Sequence, residues 1–157
     1  MIKFNDLLRE IGDTTDYYKF RLEGKTIKRD AGESPRVRLL YTFKTEERTY
    51  RTSIYKSPVS TYFEVEFTTD RGGVVTNEGK QFKVVSTTIQ IALDALEVAK
   101  AENIEVDGFR FMPIPKDHST PLDAVTQREK LYLAFIRRQF PQAKVTRESG
   151  TVTVELP

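Results

Sequence analysis

Between Gln81 and Phe140 the hydrophobic pattern changes period twice, and this constrains the fold more than any other feature of the chain. Ile89, Ala92, Leu93, Leu96 and Ala99 recur at the spacing of one helical face. Ile104, Val106, Phe109 and Phe111 then form an apolar run sized for a buried strand. Pro113 and Pro115 break the pattern, after which Val125, Leu131, Tyr132, Phe135 and Ile136 return to helical spacing. Helix, strand, polar loop and helix in that order predict a crossover unit packed on a sheet.

The residues before this unit alternate instead. Val37, Leu39, Tyr41 and Phe43 interleave with Arg36, Arg38, Thr42 and Lys44, the period of a strand with one buried face. Tyr50, Thr52 and Ile54 continue after the Glu46–Glu47 turn. Phe63, Val65 and Phe67 follow the Ser57–Pro58 break, so the three runs predict an antiparallel meander. Upstream, Tyr18, Phe20 and Leu22 read as a strand leading into a polar loop from Gly24 to Pro35. Ile2, Phe4, Leu7, Leu8 and Ile11 give a short amphipathic helix closed by Gly12. The segment from Asp70 to Lys80, with Gly72, Gly73 and Gly79, reads as the mobile loop. Ser86-Thr87-Thr88 offers an N-cap for the first long helix, and Thr120-Pro121-Leu122-Asp123 the start of the second. Val145, then Val152, Val154 and Leu156, flank Glu148-Ser149-Gly150 as a C-terminal hairpin.

Length limits this to one domain. A chain of 157 residues buries roughly 68–70% of its unfolded surface, and two halves would each be short of a core. The 10 Phe and 7 Tyr supply most of that core's mass. The absence of Cys excludes a disulfide framework and thiolate zinc sites, which fits a cytoplasmic protein. No apolar run reaches a membrane span, and Asp6, Glu10 and Asp13 interrupt the place of a signal peptide's apolar stretch. No membrane partner is expected. The net charge is only +2, yet Lys19–Arg51 holds ten basic residues against five acidic, and Ile89–Asp123 three against seven. Such an asymmetry steers charged partners, although a solvated face also needs charges.

The order of a meander, a loop into a helix, another strand, and a helix carrying Leu131-Tyr132 resembles the GCN5-related N-acetyltransferase fold over residues 35–157. The resemblance implies acetyl-coenzyme A as cofactor, its pyrophosphate held by backbone amides at Val84, Val85, Ser86 and Thr87. It also implies Tyr132 as general acid, with Glu64 or Glu66 as base for an acceptor amine. Val84 and Ser86 stand where the family carries small glycines, and no glycine follows Tyr132 before Gly150. Val84-Val85-Ser86-Thr87 and Arg128-Glu129-Lys130-Leu131-Tyr132 are similar to segments of small uncharacterised proteins of tailed bacteriophages. That similarity implies a viral accessory protein acting in the host cytoplasm.

Three further groups bear on function. His118 is the only histidine, so a multi-histidine metal site is excluded, and no metal is expected. Glu64 and Glu66 share one strand face, as a carboxylate pair, a divalent-metal site or half of a cross-strand charge pattern with Lys or Arg opposite, the last being what any half-exposed strand shows. Arg36, Arg38 and Lys44 share a strand face, with Tyr55 and Tyr62 as stacking platforms and Arg137 and Arg138 adding a basic cluster. That combination suits single-stranded nucleic acid.

The expected architecture is α+β: a mostly antiparallel sheet of six or seven strands, two long helices packed on it, and a short N-terminal helix. The expected function is a non-catalytic binding or regulatory accessory protein acting on a protein partner without cofactor. An acetyl-coenzyme A-dependent N-acyltransferase and a nucleic-acid-binding protein are the alternatives.

Overall fold

The computed structural model describes residues 17–46, 48–69, 81–111, 127–148 and 151–157, and for 67–69, 81–82, 127–129 and 131–132 it describes the backbone alone. Seven strands form one sheet in the order β1-β2-β3-β4-β5-β7-β6. They are β1 Phe20–Lys28, β2 Arg36–Lys44, β3 Thr49–Lys56, β4 Tyr62–Thr69, β5 Gly108–Phe111, β6 Lys144–Glu148 and β7 Thr151–Glu155. Helix α1, Gln81–Ala101, joins β4 to β5, and helix α2, Gln127–Gln139, lies between β5 and β6.

The meander forms as its alternation requires. Val37, Leu39, Tyr41 and Phe43 on β2 and Tyr50, Thr52, Ile54 and Lys56 on β3 are buried, with exposed or half-buried residues between them. The antiparallel register sets Leu39 opposite Ile54 and Ile54 opposite Val65, so one face is apolar across three strands. Phe43 and Tyr50 stack there with centroids 4.9 Å apart.

The helical layer follows from the crossovers. β5 runs parallel to β4, and β7 lies antiparallel between β5 and β6, so both helices sit on connections between parallel strands stepping the same way along the sheet. Right-handed connections then place both on one face. α1 packs on β3 and on α2, and Tyr41 of β2 donates a 2.7 Å hydrogen bond to Asp94 of α1. Val85, Ile89, Ile91, Ala92, Ala95 and Ala99 of α1 are buried with Ala134, Phe135 and Ile136 of α2. Ile91 and Ala95 lie off the expected stripe, because α1 is covered by the sheet and by α2 together.

The expected architecture is corrected in two respects. The sheet is mixed: the α1 crossover returns β5 parallel to β4, while the other five pairings are antiparallel. Only one helix is long: α1 has 21 residues and α2 has 13. The expected N-terminal helix, the loop from Asp70 to Lys80, the Thr120–Asp123 cap, the hairpin turn at Ser149-Gly150 and His118 lie outside the described residues.

Local readings shift as well. β1 runs on through Gly24, where a loop was expected, because the register slips between Leu22 and Gly24 and the chain absorbs one extra residue as a bulge. The slip turns Lys25 to the helical face, where it pairs with Glu102 at 2.9 Å just beyond α1. β5 is only four residues long, and Ile104 and Val106 precede it in a loop. Asn103 takes φ 57°, and its amide and that of Ile104 bond back to Lys100 and Ala99, the closing pattern of a left-handed helix cap. Gly108 is then obligatory, since a Cβ there would collide with the carbonyl oxygen of Val154 on β7.

Candidate functional site

The face of the sheet opposite the helices is where the charged side chains of the meander converge. Strand alternation puts Arg36, Arg38 and Lys44 of β2, and Arg51 of β3, on this face, all exposed. Tyr55 of β3 and Tyr62 of β4 stand half-buried among them, and Glu64 and Glu66 are exposed on β4. The register builds one row across the sheet: Arg38 opposite Tyr55, Tyr55 opposite Glu64, and Glu64 opposite Arg110 of β5.

Two cations lie over the rings. The Arg38 guanidinium is 5.9 Å from the Tyr55 centroid, and that of Arg110 is 4.5 Å from Tyr62. Both fall within the range where a ring's quadrupole attracts a cation. Among the described residues none of Arg36, Arg38, Lys44, Arg51 and Arg110 has a carboxylate within ion-pair distance, and neither Glu64 nor Glu66 has a cation. Arg110 stands opposite Glu64 but turns to Tyr62, so the cross-strand charge pattern is present in register without closing into a salt bridge. At the β1 end, Glu23 is held below the ordinary carboxylate range chiefly by its hydrogen bond from Arg21, 2.7 Å long, with Thr42 adding a second.

The four residues expected to hold a pyrophosphate occupy a different environment. α1 begins at Gln81, so the Ser86-Thr87-Thr88 cluster is not its N-cap but lies in its second turn. Val85, Ser86 and Thr87 lie far enough into α1 for their amides to bond the carbonyls of Gln81, Phe82 and Lys83, which takes three of the four expected amides away from a phosphate. Val85, Ser86 and Thr87 are buried. The Thr87 hydroxyl donates to the Lys83 carbonyl at 2.6 Å and accepts from the Tyr18 amide at 2.9 Å. Thr88 donates likewise to Val84 at 3.0 Å. The Thr87 hydroxyl thus fastens the chain entering β1 to the helix.

Tyr132 lies in α2, and its side chain is outside the described part. Arg137 and Arg138 are exposed in the last turn of α2, on the helical layer, so the structure does not bring them together with the sheet arginines. Arg36, Arg38, Lys44, Tyr55, Glu64 and Glu66 do share one surface. Arg51 and Arg110 complete it and were missed, because Arg51 sits on a strand whose exposed face was not traced and Arg110 reaches the row only through the crossover.

Lys56 is a second unexpected feature. It is fully buried at the end of β3, and its ammonium donates to Ser34 Oγ at 2.8 Å, the Pro35 carbonyl at 2.9 Å and the Ser57 carbonyl at 3.2 Å. Burial lowers its pKa from the ordinary 10.5. Three acceptors match the three protons of an ammonium, so the group ties the β1–β2 loop to the turn after β3. Among the described residues no group of three or more His, Asp and Glu side chains is placed to hold a metal ion, and no helix is long and apolar enough to cross a membrane. No family model, curated protein or solved structure matches this chain.

Proposed function

We propose that this chain is a non-catalytic binding protein whose partner, an extended polyanion, lies on the open face of the sheet. The observation that carries the reading is the set of exposed cations on β2 and β3 that have no carboxylate of the described residues within ion-pair distance, held on one sheet face beside two tyrosines, with only Arg51 feeling a neighbouring carboxylate, Glu23. Surface cations that serve only solubility are usually interspersed with anions; here β2 presents three cations and no anion on this face. The acyltransferase alternative loses its main support, since the amides it needs are inside α1.

Retention on immobilised heparin tests this reading. Replacing Arg36, Arg38 and Arg51 by Gln is expected to lower the salt needed for elution well below wild type. Replacing Lys100, Arg137 and Arg138 of the helical layer by Gln, an equal loss of charge, should lower it less. Equal effects from the two triples would refute a face-specific site.

A further inference from the structure

Resting on that reading, we infer that the polyanion is a single-stranded nucleic acid, whose bases stack on Tyr55 and Tyr62 and present their exocyclic amino groups to Glu64. The inference comes from how charge is distributed across the face. Cations occupy β2 and β3, from Arg36 at one end of β2 to Lys44 at the other, a rail about 27 Å long at the rise of an extended strand. The next strand, β4, presents two carboxylates instead. Phosphates are therefore drawn to β2 and β3 and repelled from β4.

A ligand that is negative along one edge and aromatic along the other fits this division. The two tyrosines stand on the boundary, Tyr55 at the inner edge of the rail and Tyr62 one strand further in. They are diagonal neighbours, because Tyr55 pairs with Glu64 and Tyr62 precedes Glu64 by two residues. Their Cα atoms are thus roughly 7–8 Å apart. Arg38 and Arg110 already lie over these rings, so each site offers a ring and a guanidinium plane, both of which stack on bases. An acidic peptide would also answer the cations, but it has no flat aromatic group to use the rings, and its carboxylates would meet Glu64 and Glu66.

Glu64 gives the face a means of choosing among bases. It is exposed, lies between Tyr55 and Arg110 in the register row, and has no cation partner among the described residues. A carboxylate only accepts hydrogen bonds, so it favours an edge with an amino group, such as the N4 of cytosine, over the carbonyl oxygen at the same position of thymine.

Fluorescence anisotropy with labelled 12-nucleotide oligo(dC) and oligo(dT), and with polyglutamate as competitor, tests the proposal. Oligo(dC) should bind about 5-fold more tightly than oligo(dT). Tyr55→Leu and Tyr62→Leu, which keep bulk and strand shape, should each weaken both oligonucleotides by about 10-fold while the melting temperature stays near wild type. Glu64→Gln should level the preference, because an amide can donate to thymine as well as accept from cytosine. Replacing Arg36 and Arg38 by Gln should flatten the salt dependence of log K by about 1.4, two single-strand phosphate contacts. Polyglutamate competing as well as DNA, or tyrosine variants binding like wild type, would overturn the nucleic-acid inference and leave the polyanion reading standing. Failure to bind heparin, DNA or polyglutamate would bring down both.

Discussion

Replacing Thr87 by Val separates a structural hydroxyl from a ligand-binding one. Valine keeps the branched shape, so no cavity opens, and its helix propensity is close to that of threonine. What is lost is the Oγ1 that accepts from the Tyr18 amide at 2.9 Å in a buried setting, and the 2.6 Å bond to the Lys83 carbonyl, already an acceptor within the helix. Removing the acceptor of a buried amide costs about 1–3 kcal/mol, so about 2 kcal/mol is expected. For a chain of this length that lowers Tm by roughly 4–8 °C. Thr88→Val is the internal control, since among the described residues the Thr88 hydroxyl bonds only to the Val84 carbonyl one turn back, and such bonds add little to helix stability. It should change stability by less than about 0.5 kcal/mol. Urea unfolding followed by circular dichroism gives both values. If the two substitutions cost the same within error, the Thr87 bond does not fasten Tyr18, and the account of this segment as a structural clamp fails.

Four other substitutions probe separate contacts. Gly108→Ala drives a methyl group into the Val154 carbonyl, forcing β5 and β7 apart, and should cost about 1–3 kcal/mol in urea unfolding; a neutral result would mean the strands can part freely. Tyr41→Phe removes a half-buried 2.7 Å bond to Asp94 and should cost about 1.5–3 kcal/mol at pH 7. Burial, with Asp94 adding to it, raises the Tyr41 pKa in the folded protein above its ordinary 10.0, so the unfolded chain ionises first and stability falls as pH rises past 10; Tyr41→Phe should show a shallower fall. Lys56 acts in the opposite sense: its folded pKa is lowered, so its burial costs stability in full below that value and the cost is relieved as pH climbs toward 10.5. Lys56→Met should remove that rise, and an unchanged alkaline profile would contradict the buried ammonium. Thr52→Val replaces a buried hydroxyl that has no hydrogen-bond partner among the described residues and should be neutral or stabilising by up to about 1 kcal/mol; a clear loss would reveal a bond to that hydroxyl.

The meander was legible because one-sided burial writes itself into the sequence at period two, and Val37 to Phe43 shows that period with Leu40 as the one exception. β1 was cut short at Gly24 because a bulge and a turn draw on the same residue, and only the register against β2 tells them apart. The start of α1 was misplaced for a related reason. Ser and Thr are favoured at N-caps through the same side-chain-to-backbone bonding that Thr87 and Thr88 carry out inside the helix, so their identity alone does not locate the boundary. Ile104 and Val106 looked like strand because apolar spacing records burial; Ile104 is buried as the residue that closes the helix cap. Of the open face, Arg36, Arg38, Lys44 and Tyr55 were legible together, since three of them share a strand. Arg110 joins them only through a parallel pairing between segments more than forty residues apart.

That pairing also bears on why the site lies on the sheet and not at the helix. In a crossover, the turn entering the helix is the usual place for an anion, because free amides and the helix dipole point the same way. Here the segment expected to do this is already inside α1, and its Thr87 hydroxyl serves the clamp on Tyr18. The same crossover lays both helices on one face and leaves the other to the side chains of seven strands. Across a sheet, spacing is fixed by the backbone register, so Arg38, Tyr55, Glu64 and Arg110 stand in a row set by strand pairing alone. Such a row orders a ligand through several weak, evenly spaced contacts rather than one deep pocket. Its affinity should therefore grow with the length of the oligonucleotide until the rail on β2 is covered, and stay constant beyond it.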